Sequence, residues 1–567
     1  MKLRTIAVIC TAMLAAEAIM PVAAAAVSGT DVRHLAKSLT GAGELTAADD
    51  FDGSKSVNAI DLTLMKRSLL EAPDLGDLTE QTVTDITEVT KIIGRTVTKD
   101  GVTWLVQSGA AVECTVTGTE ASVTIAGDGN TAGDEKYRPR YGVYVDGELI
   151  KDVVMGETEQ TVSLFSGTTE RTATVKVMHL SEANNGAIGV KSFKVTSKKS
   201  DPVKPTAKKD LTIEFVGDSI TCAYGVGADS QYVSFETATE DFSKSYAYLA
   251  AQLLDADYSA VSYSGYGIYS GYSGDGKRNA DSLVPPVYEQ VAKFGGYDAK
   301  WDFAANPNDV VFINLGTNDD SYAKDDLETR APLYQAAYVD FLKEVRKCNP
   351  DAAIVCTLGI MGCTELYPSI EAAVKEVGDP KIFCYESPTH NIQRDGIGAD
   401  WHPSPVTHEL NSYLAASNIC KALGIEYSGI GLDFAADGEY GAALNADSGA
   451  AGWPYYAEWN KSLNINITSG GKTAEDVIGY VRGLDLKSGT YELSFTVKGA
   501  DKIEFPYVLR SMADPETVYC SGTVTAAEIS KTFEMKAPAQ DCEIVFLLGE
   551  AGAANVTFEN IFLYKRA

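Results

Sequence analysis

The sequence is short of positive charge. Forty-eight lysines and arginines face 78 aspartates and glutamates, a formal net charge of −30 over 567 residues. A phosphate-binding surface needs a basic patch, so nucleic acid is excluded as a partner. An acidic surface suits a chain that meets neutral sugars in solution. Histidine is scarce, with five in all, so any imidazole chemistry has few candidates. The ten cysteines have irregular spacing and no CxxC pair. That argues against a thiolate metal cluster and for small buried core residues. Cys520 and Cys542 leave one disulfide open. Long apolar runs are missing beyond residues 1–26, so no membrane partner is expected. Within those residues Lys2 and Arg4, an apolar stretch from Ile6 to Ala16, and Ala23 to Ala26 read as a secretory signal. The chain is therefore expected to be secreted and extracellular.

What is present is a mosaic, since 567 residues exceed one core. Residues 27–72 hold a degenerate repeat: Val27 to Asp31, then Val32, Leu35 and Leu39, is echoed by Val57 to Asp61, then Leu62, Met65 and Leu69. Residues 93–197 alternate in short apolar runs between turns and predict an antiparallel β-sandwich. Residues 198–209, KKSDPVKPTAKK, read as a connector. From 210 to 427 apolar strands alternate with amphipathic helices, which predicts a three-layer α/β domain on a parallel sheet. Residues 430–567 return to short strands and predict a second β-sandwich.

Three polar signatures fall where the α/β domain should open. Gly217-Asp218-Ser219 ends one strand, Gly316-Thr317-Asn318-Asp319 ends another, and Asp400-Trp401-His402-Pro403 precedes the last helix. A serine at a strand-to-helix turn lies near a helix N-terminus that favours negative charge. It is a weak nucleophile until a base takes its proton. His402, fixed before Pro403, is the leading base; His408 reads as surface or capping, and His390 is unassigned.

EFVGDSITCAYG, SYSGYGIYSGY, WDFAANPNDVVFINLGTND and DWHPSP together resemble the SGNH (GDSL-like) hydrolases, and most closely carbohydrate esterase family 2. GRTVTKDGVTWLVQSG through MHLSEANNGAIGVKSF is similar to that family's N-terminal jelly-roll. The resemblance implies that Ser219 is the nucleophile and His402 the general base. It implies an oxyanion hole from the Ser219 and Gly265 amides and the Asn318 side chain, with Gly267 a rival for Gly265. Many SGNH hydrolases carry an aspartate three residues before the histidine; here that residue is Ala399. A Ser-His dyad is implied, with a backbone carbonyl orienting the ring and no cofactor for catalysis. The expected substrate is acetylated plant polysaccharide such as xylan or mannan. Rival readings are a lipase or thioesterase on the same fold, or a non-catalytic binding scaffold. Trp401 is favoured as a sugar platform, while Tyr224 and Tyr266 suit either sugar contact or packing.

Two further modules are legible. Asp50, Asp52, Ser54, Asn58 and Asp61 occupy positions 1, 3, 5, 9 and 12 of a loop, the spacing that wraps Ca2+. The following LTLMKRSLL resembles a dockerin helix, with its first repeat truncated; this implies a cohesin-bearing scaffold as a partner and attachment to a cellulosome. The last sandwich resembles a carbohydrate-binding module, in which Trp453, Tyr455, Tyr456 and Trp459 form a sugar platform or the domain is a structural appendage.

Overall fold

The computed structural model describes residues 34–36, 39, 56–71, 78–293, 296–390, 392–427, 430–431, 438–457, 462–499 and 504–566. The signal reading at 1–26, Asp50, Asp52, Ser54 and Trp459 lie outside these residues.

The catalytic-type domain is built on five parallel strands: β1 Thr212–Gly217, β2 Asp257–Ser262, β3 Val310–Asn314, β4 Ala353–Leu358 and β5 Ile382–Glu386. Every residue of β3 is buried, as a strand covered on both faces requires. Val310 and Phe312 face α1 Tyr246–Leu253 and α4 Pro405–Leu423; Val311 and Ile313 face α2 Leu327–Cys348 and α3 Tyr367–Val377. The sheet order is β2-β1-β3-β4-β5. The order reverses between β1 and β3, and the crevice beyond the carboxyl ends of such a pair is where α/β sheets place ligands.

The preceding β-domain is one ten-stranded sheet. Its long strands, Ala111–Gly127 and Glu159–His179, pair along their length with register shifts after Gly118 and Ala121. The shifts bend them, so that Val112, Val116, Val123, Ile125, Val143, Val175 and Phe193 share one core. The domain starts earlier than the expected residue 93, because Thr79–Val83 pairs with the strand Ile188–Ser197. The supposed connector is also pinned: Val203–Pro205 pairs with Val116 to Cys114, and Val203 is buried.

This β-domain and the α/β domain share their cores. Ile93, Ala111, Met178 and Leu180 pack with Ile213 and Phe215. Between the domains, Arg95 and Glu214 form a fully buried ion pair at 2.8 Å. Arg95 also donates to the Tyr288 and Gln290 carbonyls. Its guanidinium lies 5.0 Å from the Phe303 ring centre. Glu214 accepts from Tyr288 Oη at 2.7 Å and Ser259 Oγ at 3.1 Å. Such charges are tolerated in a core only when paired and fully hydrogen-bonded.

The last domain is a sandwich of a six-stranded and a five-stranded sheet around Leu463, Val481, Leu493, Leu509, Ile544 and Phe558. Cys520 and Cys542 are free and buried in it. Their strands are separated by Phe505–Ser511, about 10 Å at two strand spacings, beyond disulfide reach. At the other end, helix Ala59–Glu71 follows Asn58, and Leu35 and Met65 form a small core with Leu39, Val57 and Leu62. Both halves of the repeat therefore meet through their apolar residues. Among the described residues no helix is long and apolar enough to cross a membrane.

Candidate active site

β1 ends in Gly217, and Ser219 opens the helical turn Ser219–Cys222 with Asp218 as its cap, accepting from the Ile220 N–H at 3.0 Å. Ser219 is only 6% exposed. Its Oγ lies 2.8 Å from His402 Nε2. The Ser219 N–H is one of the first-turn donors that a helix leaves without an internal partner.

The imidazole is held by backbone. His402 Nδ1 is 3.1 Å from the Ala399 carbonyl and 3.2 Å from the Asp400 carbonyl. The Asp400 carboxylate points elsewhere, accepting from Tyr224 Oη at 2.8 Å and the Phe235 N–H at 3.2 Å. Asp400 and Trp401 both adopt left-handed backbone, φ 47° and 68°. Non-glycine residues hold such conformations only where their surroundings over-determine them. Here the Ala399 N–H donates to the Gly225 carbonyl at 3.0 Å, and the Gly398 N–H to the His402 carbonyl at 2.8 Å. Burial pushes the His402 imidazole down to about 4, opposed by the two carbonyls. The ring is therefore neutral at pH 7 and free to take a proton.

Asn318 sits in the first turn after β3, buried, its Nδ2 donating to the Tyr266 carbonyl at 2.8 Å and to Asp218 Oδ2 at 3.4 Å. Gly265 has φ +82°, and a Cβ there would meet nothing within 4 Å. Its carbonyl accepts from the Tyr272 N–H at 2.8 Å, while its own N–H has no partner among the described residues. Gly267 differs: its N–H donates to the Ser282 carbonyl, and a Cβ would fall 2.0 Å from the Ser270 carbonyl oxygen. A spent amide in a filled position cannot serve an oxyanion, so the geometry favours Gly265.

The aromatic residues separate. Trp401 is 48% exposed, edge-on to the exposed Tyr232 at 6.0 Å. Tyr224 lies flat against the His402 ring at 4.1 Å and against Phe235 at 4.4 Å, so it supports the imidazole. Tyr266 is a correction: it is buried against Tyr263, with its hydroxyl on Lys293, and offers no face to a ligand. Only its carbonyl reaches the site. His408 is likewise buried, and its Nδ1 accepts from the Tyr246 N–H at the start of α1.

One carboxylate beside the site, Asp319, stands in a polar signature of the sequence but was given no role there. Asp319 is buried and accepts from the N–H groups of Ile268, Tyr269 and Ser270 at 3.0, 2.7 and 2.8 Å. Burial pushes it up to about 6 even so. Its position directly after Asn318 was the available signal. Of the calcium-loop residues, Asn58 and Asp61 are described. Asp61 is buried in the first turn of helix Ala59–Glu71, and its carboxylate accepts the Asn58 N–H at 2.8 Å. Asp61 stands at the twelfth position of the expected loop, and Asp50, Asp52 and Ser54 lie outside the described residues. Among the described residues no group of three or more His, Cys, Asp or Glu side chains is placed to hold a metal ion.

A parallel sheet with a serine and an asparagine at its strand ends, and a histidine brought to the serine from the segment before the last helix, is the arrangement expected of GDSL-like hydrolases, and sequence comparison agrees. The GDSL-like lipase/acylhydrolase model matches residues 213–395, and the carbohydrate esterase 2 N-terminal model matches 92–203. The chain belongs to carbohydrate esterase family 2. The cellulase/esterase CelE of Acetivibrio thermocellus is 34% identical over 326 residues, 56% of this chain and 37% of that protein. The chain thus spans little more than a third of that relative's length. An acetylxylan esterase / glucomannan deacetylase of Cellvibrio japonicus is 25% identical over 273 residues, 47% of this chain and 72% of that one. A family two carbohydrate esterase from Clostridium thermocellum, solved in complex with cellohexaose, is 30% identical with a TM-score of 0.52, covering 59% of this chain and 99% of that one.

Proposed function

We propose that the protein removes O-acetyl groups from plant-cell-wall polysaccharides, xylan or mannan, through an acetyl-enzyme on Ser219. The observation that carries this is the 2.8 Å contact between Ser219 Oγ and His402 Nε2, beside the uncommitted Gly265 amide. Ser219 Oγ attacks the acetyl carbonyl carbon as its proton passes to His402 Nε2. The oxyanion is met by the N–H groups of Ser219 and Gly265 and by Asn318 Nδ2, which turns from the Tyr266 carbonyl. The bond to the sugar oxygen breaks, and His402 returns the proton to that oxygen. Water then attacks the acetyl carbon as its proton passes to His402 Nε2, the bond to Ser219 Oγ breaks, His402 gives the proton to Oγ, and acetic acid leaves and ionises. The Ala399 and Asp400 carbonyls keep the Nδ1 proton in place. No cofactor enters these steps.

A sugar substrate is supported by the exposed Trp401 and Tyr232 at the mouth of the site, flat apolar faces with polar edges. The relatives with deacetylase names point the same way. Acetate release from acetylated xylan and glucomannan, run beside aryl esters of increasing acyl length, tests the reading. Acetyl substrates are expected to win; a preference for long acyl chains removes it in favour of a lipase.

The flanking modules extend the reading. Trp453 and Tyr455 are 58% and 57% exposed on one face of an edge strand, a sugar-binding strip on the last sandwich. Tyr456 turns the other way and stacks on Tyr440 at 4.7 Å, so it does not share that strip. The 50–61 loop holds Ca2+ and, with helix Ala59–Glu71, docks a cohesin-bearing scaffold outside the cell.

A further inference from the structure

The loop that carries Gly265 is gripped at two places by buried carboxylates. Asp319 takes three N–H groups on its far side, at residues 268–270. On its near side the Ser264 N–H, one residue before Gly265, donates to Glu182 Oε2 at 2.7 Å. Glu182 does not belong to the α/β domain. It follows the strand Glu159–His179 of the β-domain and is 3% exposed.

The surroundings of Glu182 hold it in place. Oε2 also accepts from Asn184 Nδ2 at 2.7 Å, and Cys222 Sγ approaches it at 4.0 Å. Its own N–H donates to Glu240 Oε2 at 3.0 Å, and Glu240 is fully buried. Burial pushes both carboxyls up, and Glu240 further so through Glu182. A buried carboxylate with a carboxyl neighbour is costly. It persists where donors fix it, and here one donor is the backbone of the loop that presents Gly265.

We infer that Glu182 is a positioning residue for the oxyanion hole, through which the β-domain sets the direction of the Gly265 amide. It touches no reacting atom. A side chain that holds the peptide before Ser264 narrows the directions open to the next peptide, which differs from it only by φ and ψ of Ser264, and a donor to an oxyanion acts only within a few tenths of an ångström of its proper place. The inference rests on Ser219 being the nucleophile.

The test compares Glu182→Met, which fills the volume without an acceptor, with Glu182→Gln, which keeps one. Both are assayed on an aryl acetate, with kcat expressed per site titrated by a phosphonate inhibitor. Glu182→Met is expected to lower kcat roughly 10- to 100-fold with KM within about twofold, as loss of aim in one donor would. Glu182→Gln should restore kcat to within about fivefold. Combining Glu182→Met with Asn318→Ala should cost less than the product of the two, because both act on one oxyanion. A folded Glu182→Met with kcat within about twofold overturns the inference. So do multiplicative losses, or failure of both variants to accumulate as folded protein, which would make Glu182 a residue of the fold alone. Ser219→Ala run alongside separates the two claims: activity surviving there removes the nucleophile reading. A dead Ser219→Ala beside a fully active Glu182→Met removes only this one.

Discussion

Two β-domains flank the α/β domain, and they are joined to it differently. The first shares apolar cores with it, buries the Arg95–Glu214 pair between them and sends Glu182 to the loop before Gly265. The second has a core of its own residues, from Ala450 to Leu563. An ionic cluster, Arg510 with Glu475 and Glu543, lies within it. Similar strand patterns in sequence thus lead to one domain that is part of the catalytic unit and one that is appended. A shared buried charge is what separates them, since neither ion of such a pair can be left alone in a core.

The largest expected effect lies at the centre that both domains flank. Ser219→Ala and His402→Ala should each lower acetate release by several decades, as removal of a nucleophile or base does, with thermal unfolding little changed. Loss within about tenfold at Ser219 would contradict its role. Next comes the interface. Arg95→Ala leaves Glu214 buried and unpaired, at a cost of about 3–5 kcal/mol, and should lower the unfolding midpoint and the esterase activity together. Arg510→Ala should destabilise the last sandwich while esterase activity on a soluble aryl acetate stays unchanged. If the two variants behave alike, the distinction between the flanking domains fails.

Smaller effects sharpen the account of the base. Its lowered pKa keeps His402 neutral above about pH 4, so kcat/KM should fall with acid well below the ordinary imidazole range, not near pH 6.5. An acid limb at the ordinary value would show an imidazole not held in this way. Because the Asp400 carboxylate faces Tyr224 and Phe235, Asp400→Asn should cost at most about tenfold, or 1.4 kcal/mol. A loss of several decades in a folded chain would mean that it reaches the ring. The smallest effect belongs to the N-terminal module, where a calcium chelator should lower only that module's stability and leave turnover unchanged.

The order of strands and helices in the α/β domain was legible because continuous apolar runs such as Val310 to Ile313 mark strands covered on both faces. Ser219, Asn318 and His402 stand out because each sits in a short polar segment at a strand end or before a helix, and their expected roles come from the resemblance of those segments to SGNH hydrolases. The carbonyl support of His402 was anticipated from Ala399, a position without a carboxylate. What stayed hidden depends on contacts distant in sequence. Glu182 lies 82 residues from Ser264, and nothing local distinguishes it from a surface glutamate. Tyr266 and Trp401 are both aromatics beside motifs, yet one is buried and the other half exposed; composition does not tell which way a ring turns. The segment 198–209 reads as a connector from its lysines and prolines, but Val203 reaches a core that its neighbours do not announce.

The most direct test is to trap the acyl-enzyme. Wild-type chain is mixed with an aryl acetate, quenched in acid within the first turnover, digested and mapped by mass. The account predicts one acetyl group on the peptide containing Ser219, absent in Ser219→Ala and strongly reduced in His402→Ala. Acetyl on another residue, or turnover without any acetylated peptide in rapid-quench samples where the deacetylation step is limiting, would contradict it.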